Sequence, residues 1–152
     1  MAMRIIIAGG GTGGHLFPGI AIAQECISKY PDTSILFTGT GNSFEKITLA
    51  KAGFNHKTIT VEGIKGRTIA KQLISAFKIP KGIFDSFKIL KAFKPNLVFG
   101  VGSYSSGPVI LMAWLLGIKI ALHEQNILPG ITNRMLSYFA DRIYVSFEKT
   151  KK

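Results

Sequence analysis

The stretch Arg4-Ile5-Ile6-Ile7-Ala8-Gly9-Gly10-Gly11-Thr12-Gly13-Gly14-His15-Leu16-Phe17-Pro18-Gly19 decides the fold. Arg4 to Ala8 is a short, apolar, β-branched run, which predicts a buried strand. From Pro18 to Ser28, Ile20, Ala21, Ala23 and Ile27 recur at helical spacing, and Pro18 suits a first helical turn, where its missing N–H costs nothing. The unit is therefore strand, glycine loop, helix. Five glycines from Gly9 to Gly14 let the backbone approach a ligand and turn its N–H groups outward. The helix N-terminus adds partial positive charge, so a phosphate or another oxygen-rich group is the expected guest.

Gly9, Gly11 and Gly14 fit the dinucleotide pattern G-x-G-x-x-G. However, the second strand, Ile35 to Thr38, runs into Gly39-Thr40-Gly41, with no acid to hold a ribose. A P-loop needs Lys-Ser/Thr after its last glycine, and His15-Leu16 stands there instead. A glycine turn that only packs a helix on a sheet has no need of an imidazole. His15 sits where open α/β sheets bind ligands, at the carboxyl end of a strand, and so is a candidate site residue.

Outward from this unit the pattern is strand then helix. Strands are expected at Ile35–Thr38, His56–Val61, Leu97–Gly100, Ile118–Leu122 and Arg142–Ser146. Helices are expected at Phe44–Ala52 (capped by Ser43 or Asn42 and closed by Gly53), Val109–Leu116 and Ile131–Phe139. This alternation predicts an open, mostly parallel Rossmann-like α/β sheet with helices on both faces, in one domain over 1–152. The 47% apolar content suits strands covered on both sides. The short N-terminal apolar run is unlike a secretory signal. The longest apolar run, Val109 to Ile118, is about half the roughly 20 residues a membrane span needs. Cys26 is the only cysteine, so no internal disulfide can form, and a reducing compartment fits. No Cys cluster or His pair at ligand spacing suggests a metal, and no organic cofactor is expected.

Two more loops follow strand ends. Gly100-Val101-Gly102-Ser103-Tyr104-Ser105-Ser106-Gly107-Pro108 is a second glycine- and hydroxyl-rich loop at a helix start. Leu122-His123-Glu124-Gln125-Asn126, then Pro129-Gly130-Ile131-Thr132-Asn133, places four consecutive polar side chains after a buried strand. These can donate to and accept from sugar hydroxyls and acetamides. His123, nearest the strand, is the one expected to be structural.

The net charge of +11 is accounted for by nucleic acid, anionic lipid or a polyanionic substrate as partner, or by a general lysine-rich bias of composition. Between Gly63 and Lys94 lie eight lysines or arginines against the single acid Asp85, interleaved with apolar residues. Pro80 is expected to divide this segment into two helices, Thr68–Lys78 and Lys81–Phe93. Phe87 and Leu90 are expected to cover the sheet. Ile74, Phe77, Ile79, Ile83 and Phe84 crowd the Pro80 junction, ringed by Lys78 and Lys81. That is more apolar surface than one buried stripe needs, and it predicts a patch that docks on anionic lipid. No nucleic-acid motif accompanies the charge.

The first loop, Gly-x-Gly-x-Tyr-x-Ser-Gly-Pro from Gly100 to Pro108, and His-Glu-Gln-Asn-x-x-x-Gly-x-x-Asn from His123 to Asn133 resemble, in this order and spacing, the N-terminal half of the MurG family. Members are two-domain (GT-B) glycosyltransferases of peptidoglycan synthesis. The resemblance runs from Met3 to about Ser146. One departure is Ser103, where the family often has a third glycine. The resemblance implies transfer of N-acetylglucosamine, with inversion, from UDP-N-acetylglucosamine to lipid I (undecaprenyl-diphospho-muramoyl-pentapeptide), giving lipid II. Inversion calls for a base, and His15 is the candidate, because imidazole titrates near working pH. Sequence leaves Glu124 open as its rival. By the same resemblance Thr12, Gly13, Gly14 and Asn126 line the donor-sugar side. Gly102, Ser103, Tyr104 and Ser105 hold the acceptor, and Glu124, Gln125 and Asn133 shape its cleft. The lysine-rich segment, with Trp114 beside it, is implied to dock on the cytoplasmic face of the bacterial inner membrane. The family's second domain, which holds the donor nucleotide, is expected from outside these 152 residues, in cis or in trans. The competing expectation is a non-catalytic lipid-docking module.

Overall fold

The computed structural model describes residues 2–61 and 69–151, with side chains described outside 69–78 and 151. The strands are β1 (Arg4–Ala8), β2 (Ser34–Gly39), β3 (Asn55–Thr58), β4 (Leu97–Gly100), β5 (Lys119–Glu124) and β6 (Arg142–Val145). The helices are α1 (Gly13–Lys29), α2 (Ser43–Lys51), α3 (Ile69–Phe93), α4 (Ser106–Leu115) and α5 (Ile131–Leu136), the last continued by a 3₁₀ turn at Ser137–Phe139. The strands form a single sheet in the order β3-β2-β1-β4-β5-β6, and every pairing is parallel. The order reverses between β1 and β4, so the loops after these two strands flank the crevice where such sheets bind ligands.

Side chains alternate across a strand, so an unbroken apolar run serves two cores. Ile6, Leu36, Val98, Ile120 and Leu122 pack under Leu90 of α3, Val109, Ile110 and Ala113 of α4, and Leu136 of α5. Ile5, Ile7, Ile35, Phe37 and Phe99 pack under Leu16, Ile20 and Ala23 of α1 and Leu49 of α2. The predicted sheet with helices on both faces is thus present.

Several boundaries differ from the sequence reading, for physical reasons. Helix α1 begins at Gly13, so Pro18 lies more than a turn inside it. Helix α3 runs unbroken through Pro80. A proline inside a helix costs about 3 kcal/mol, and packing on the proline's C-terminal side opposes that cost. There Gly82 lets α3 approach Thr60 so closely that a Cβ would lie 2.6 Å from the Thr60 carbonyl oxygen. Ser86 Oγ donates back to the Gly82 carbonyl at 2.7 Å, and Leu90 is buried. Strand β3 ends early because the Thr60 N–H turns to Asp85 Oδ2 of α3, at 3.0 Å. Strand β5 extends through His123 and Glu124, which pair with Tyr144 and Val145 of β6.

Candidate active site

The crevice is built from the loops after β1, β4 and β5. The Val101 N–H donates to the Ala8 carbonyl at 2.9 Å, and the Gly10 N–H donates to Ser103 Oγ at 3.3 Å, so the first two loops are tied together. Gly102 and Ser103 both have positive φ, +89° and +70°. For serine this conformation is strained. Its side chain offsets the strain by accepting from Gly10 and from the Ser105 N–H at 3.3 Å, and by meeting Ser105 Oγ at 2.8 Å. A glycine at 103 would take the φ freely but would lose these ties.

His15 stands in the first turn of α1, half-buried. Its Nδ1 lies 3.1 Å from Thr12 Oγ1. A hydroxyl can donate or accept, so this contact suits either tautomer; when Thr12 Oγ1 accepts from Nδ1–H, Nε2 keeps a free lone pair. Across the crevice the imidazole faces Gly102, where a Cβ would lie 2.9 Å from His15 Cδ2 and 3.4 Å from Asn133 Nδ2. Burial pushes the proton affinity of His15 down, and the charge of Glu124 partly restores it. The net effect favours the neutral ring, the form a proton acceptor needs.

Glu124, the last residue of β5, is 3% exposed. Its Oε1 accepts from the Asn126 N–H at 2.8 Å and from Asn126 Nδ2 at 3.0 Å. Its Oε2 accepts from the Gly130 N–H at 3.0 Å and from Asn133 Nδ2 at 2.9 Å. Burial alone would raise its carboxyl pKa, but donors from Asn133, Asn126 and Gly130 outweigh it and hold the carboxyl below the usual range. Glu124 is thus an ionised hub that shapes the third loop. Asn133 also donates to the His123 carbonyl at 3.0 Å, while its buried Oδ1 has no partner among the described residues. Gln125 Oε1 and His123 Nδ1 are likewise buried without a partner among the described residues. His123 Nε2 meets Ser146 Oγ at 3.1 Å.

The remaining site candidates divide by exposure. Tyr104 and Asn126 are exposed, whereas Ser105 has no accessible surface, and its hydroxyl serves the loop rather than a ligand. Gly13 and Gly14 form the N-terminus of α1, which has no side-chain cap from Thr12. The first loop corrects one expectation. Its Gly10 and Gly11 N–H groups do not face a guest, because Ser103 Oγ and the Glu45 carboxylate accept them. Sequence reasoning missed Glu45. The available signal was the spacing Asn42-x-x-Glu45, a helix-capping pattern, and Asn42 Oδ1 does accept from the Glu45 N–H at 2.8 Å.

On α3, Lys81, Lys88 and Lys91 are exposed, and so is Phe84; Ile83 is partly exposed. Lys88 Nζ sits 4.4 Å over the Phe84 ring, and Lys91 Nζ 5.9 Å over Phe87. Phe87, expected to cover the sheet, is 37% exposed, and Leu90 alone of that pair is buried. The side chains of Ile74, Phe77 and Lys78 lie outside the described residues. Trp114 on α4 is half-exposed and packs edge-on against Phe139, with centroids 5.2 Å apart. Among the described residues no helix is long and apolar enough to cross a membrane. Among them, too, no three His, Cys, Asp or Glu side chains group so as to hold a metal ion.

Comparison with known proteins agrees with this fold. The profile of the glycosyltransferase family 28 N-terminal domain matches residues 5–145. The chain is 49% identical over 147 residues to the UDP-N-acetylglucosamine--N-acetylmuramyl-(pentapeptide) pyrophosphoryl-undecaprenol N-acetylglucosamine transferase of Syntrophus aciditrophicus, covering 97% of this chain and 41% of that protein. It is 46% identical over 150 residues to the protein of the same name from Geobacter metallireducens, covering 99% of this chain and 41% of that one. The crystal structure of Acinetobacter baumannii MurG superposes with a TM-score of 0.84 at 31% identity, over 97% of this chain and 42% of that one. The chain therefore spans about two fifths of the length of these relatives, and within that span it belongs to the glycosyltransferase family 28 N-terminal domains.

Proposed function

We propose that this chain is the acceptor-binding half of an inverting transferase that moves N-acetylglucosamine from UDP-N-acetylglucosamine to the muramoyl 4-hydroxyl of lipid I. The observation that carries the reading is His15, a half-buried imidazole that meets Thr12 and faces Gly102 across the crevice of the sheet, with burial lowering its proton affinity. In the reaction His15 Nε2 accepts the acceptor hydroxyl's proton while that oxygen attacks the anomeric carbon. The bond to the diphosphate breaks on the opposite face, and UDP leaves. Glu124 is already committed to four hydrogen bonds, which favours His15 over it as the base. Thr12, Gly13, Gly14 and Asn126 face the donor sugar. Gly102, Ser103 and Tyr104 face the acceptor, with Gln125 and Asn133 beside it. A C-terminal donor-binding domain, in cis or in trans, supplies the nucleotide site.

The lysine-capped aromatics of α3 suit docking on an anionic membrane surface, which supports a peripheral position for the domain on the cytoplasmic face of the inner membrane, where lipid I is presented. The test combines the chain with the C-terminal domain of a relative and follows labelled N-acetylglucosamine into lipid I. Transfer that needs both parts supports the proposal. Robust turnover by the 152-residue chain alone, or none with any donor domain while vesicle binding persists, overturns it. The latter result would identify a docking module.

A further inference from the structure

Glu45, in the first turn of α2, is a buried acid that the transfer chemistry leaves without a task. It is 1% exposed. Its Oε1 accepts from the Gly11 N–H, from the Thr40 N–H at 3.3 Å and from Thr40 Oγ1 at 3.0 Å. Its Oε2 accepts from the Gly41 N–H at 2.6 Å, and His56 Nε2 of β3 stands 3.5 Å away. Asn42 Nδ2 donates to the Gly11 carbonyl at 3.2 Å, closing the same junction. The loops after β1 and β2 and the strand β3 thus converge on one carboxylate.

Backbone N–H groups gathered in this way form a cradle that ordinarily takes an anion from solution. Here the protein supplies the anion. A Cβ on Gly10 would lie 2.5 Å from Glu45 Oε1, and one on Gly39 would lie 2.8 Å from Oε2, so the backbone closes tightly around the carboxylate. On the other side Ser103 Oγ holds the Gly10 N–H. Gly10 and Gly11 are therefore held from both sides immediately before Thr12, the residue that meets His15.

We propose that Glu45 is a positioning residue: its carboxylate fills the anion cradle of the first glycine loop, sets the backbone that presents Thr12 and His15, and leaves the Gly11 N–H unavailable to a phosphate. The inference deepens, and rests on, the reading of His15 as the proton acceptor. Glu45 acts through the loop, since the charge felt by His15 is that of Glu124.

NMR on the ¹⁵N-labelled chain tests this directly. The Gly11 and Gly41 amide protons should resonate downfield, as carboxylate-bound amides do, and inorganic phosphate should leave Gly10 and Gly11 unmoved. Glu45→Gln keeps the shape but offers an oxygen to only one side of the cradle. At least one of the two glycine amides should move upfield and lose about tenfold or more of its exchange protection, the worth of one hydrogen bond to a charged group. The His15 titration midpoint should rise as the loosened loop admits water. In the reconstituted transferase kcat should fall about tenfold to a hundredfold, with the KM for lipid I nearly unchanged. A variant whose His15 titration and kcat match the parent overturns the proposal. So do ordinary Gly11 and Gly41 shifts in the unmutated chain, a result that stands even if Glu45→Gln does not fold. The NMR arm needs no donor domain, so an inert reconstituted enzyme counts against the proposed function while the amide shifts still decide the role of Glu45.

Discussion

Removing the exposed ring of Phe84 tests the proposal that α3 docks on a membrane. Phe84 is 54% exposed, Ile79 45% and Phe87 37%, so roughly half of each side chain remains to be buried by lipid. Full burial of such a side chain contributes about 1.5–3 kcal/mol, which leaves about 1 kcal/mol for each and about 3 kcal/mol together. Lys81, Lys88 and Lys91 are exposed beside them, and each lysine at an anionic surface contributes about 1 kcal/mol at low salt. The two contributions are therefore of similar size and separable, because only the second is screened, with a Debye length of about 8 Å at physiological ionic strength and about 3 Å at 1 M salt. Co-sedimentation with phosphatidylglycerol vesicles should weaken by about a hundredfold between low and high salt and then level off, since 1.4 kcal/mol is a factor of ten. Phe84→Ser should lower the high-salt plateau by about fivefold to tenfold while the melting temperature moves little. Lys88→Glu with Lys91→Glu should remove most of the salt-dependent part. Equal binding to neutral and anionic vesicles would refute the charge argument. A Phe84→Ser chain that melts many degrees lower would place that ring in the core and refute the apolar one.

Three further outcomes are expected. His15→Ala in the reconstituted enzyme should cost a hundredfold or more in kcat, the usual worth of a general base, with little change in melting temperature; the transfer assay and calorimetry read the two separately. Glu124→Gln replaces an acceptor of four hydrogen bonds by a group that accepts on one side only, leaving buried donors unmet at about 1–3 kcal/mol each. The melting temperature should fall by at least about 3 °C for a domain of this size, as thermal unfolding followed by circular dichroism will show. For pH, burial lowers the proton affinities of His15, His56 and His123 in the folded chain. The unfolded chain then binds more protons below the ordinary imidazole value of about 6.5. Stability should be fully present above that pH and fall as pH drops below it, with a second loss near and below pH 4.5 as Glu124, whose carboxyl is held low, takes up its proton. A melting temperature flat from pH 7 to 5 would contradict the histidine part.

Much of this molecule was legible before its structure. The β-branched run before the glycines, the alternation of strand and helix signals, and the polar clusters after strands are local patterns, and periodicity reports local structure directly. They determined the parallel sheet, the three loops at its edge and His15 as the residue to watch. What they could not determine is which groups meet across loops distant in the chain. Gly10 finds Ser103, and Gly11 finds Glu45, only because β1 lies between β2 and β4. That strand order turns the first loop's N–H groups from an open cradle into an occupied one. Tertiary packing likewise carried α3 through Pro80, buried Ser105, exposed Phe87, and made Glu124 a hub rather than a free carboxylate. The sequence by itself thus determined the sheet and the loops at its edge that carry the candidate site. The fold decided which of its polar groups stay open to a ligand, because a hydrogen-bonding group is free or committed according to neighbours that the chain brings close only once the sheet is assembled.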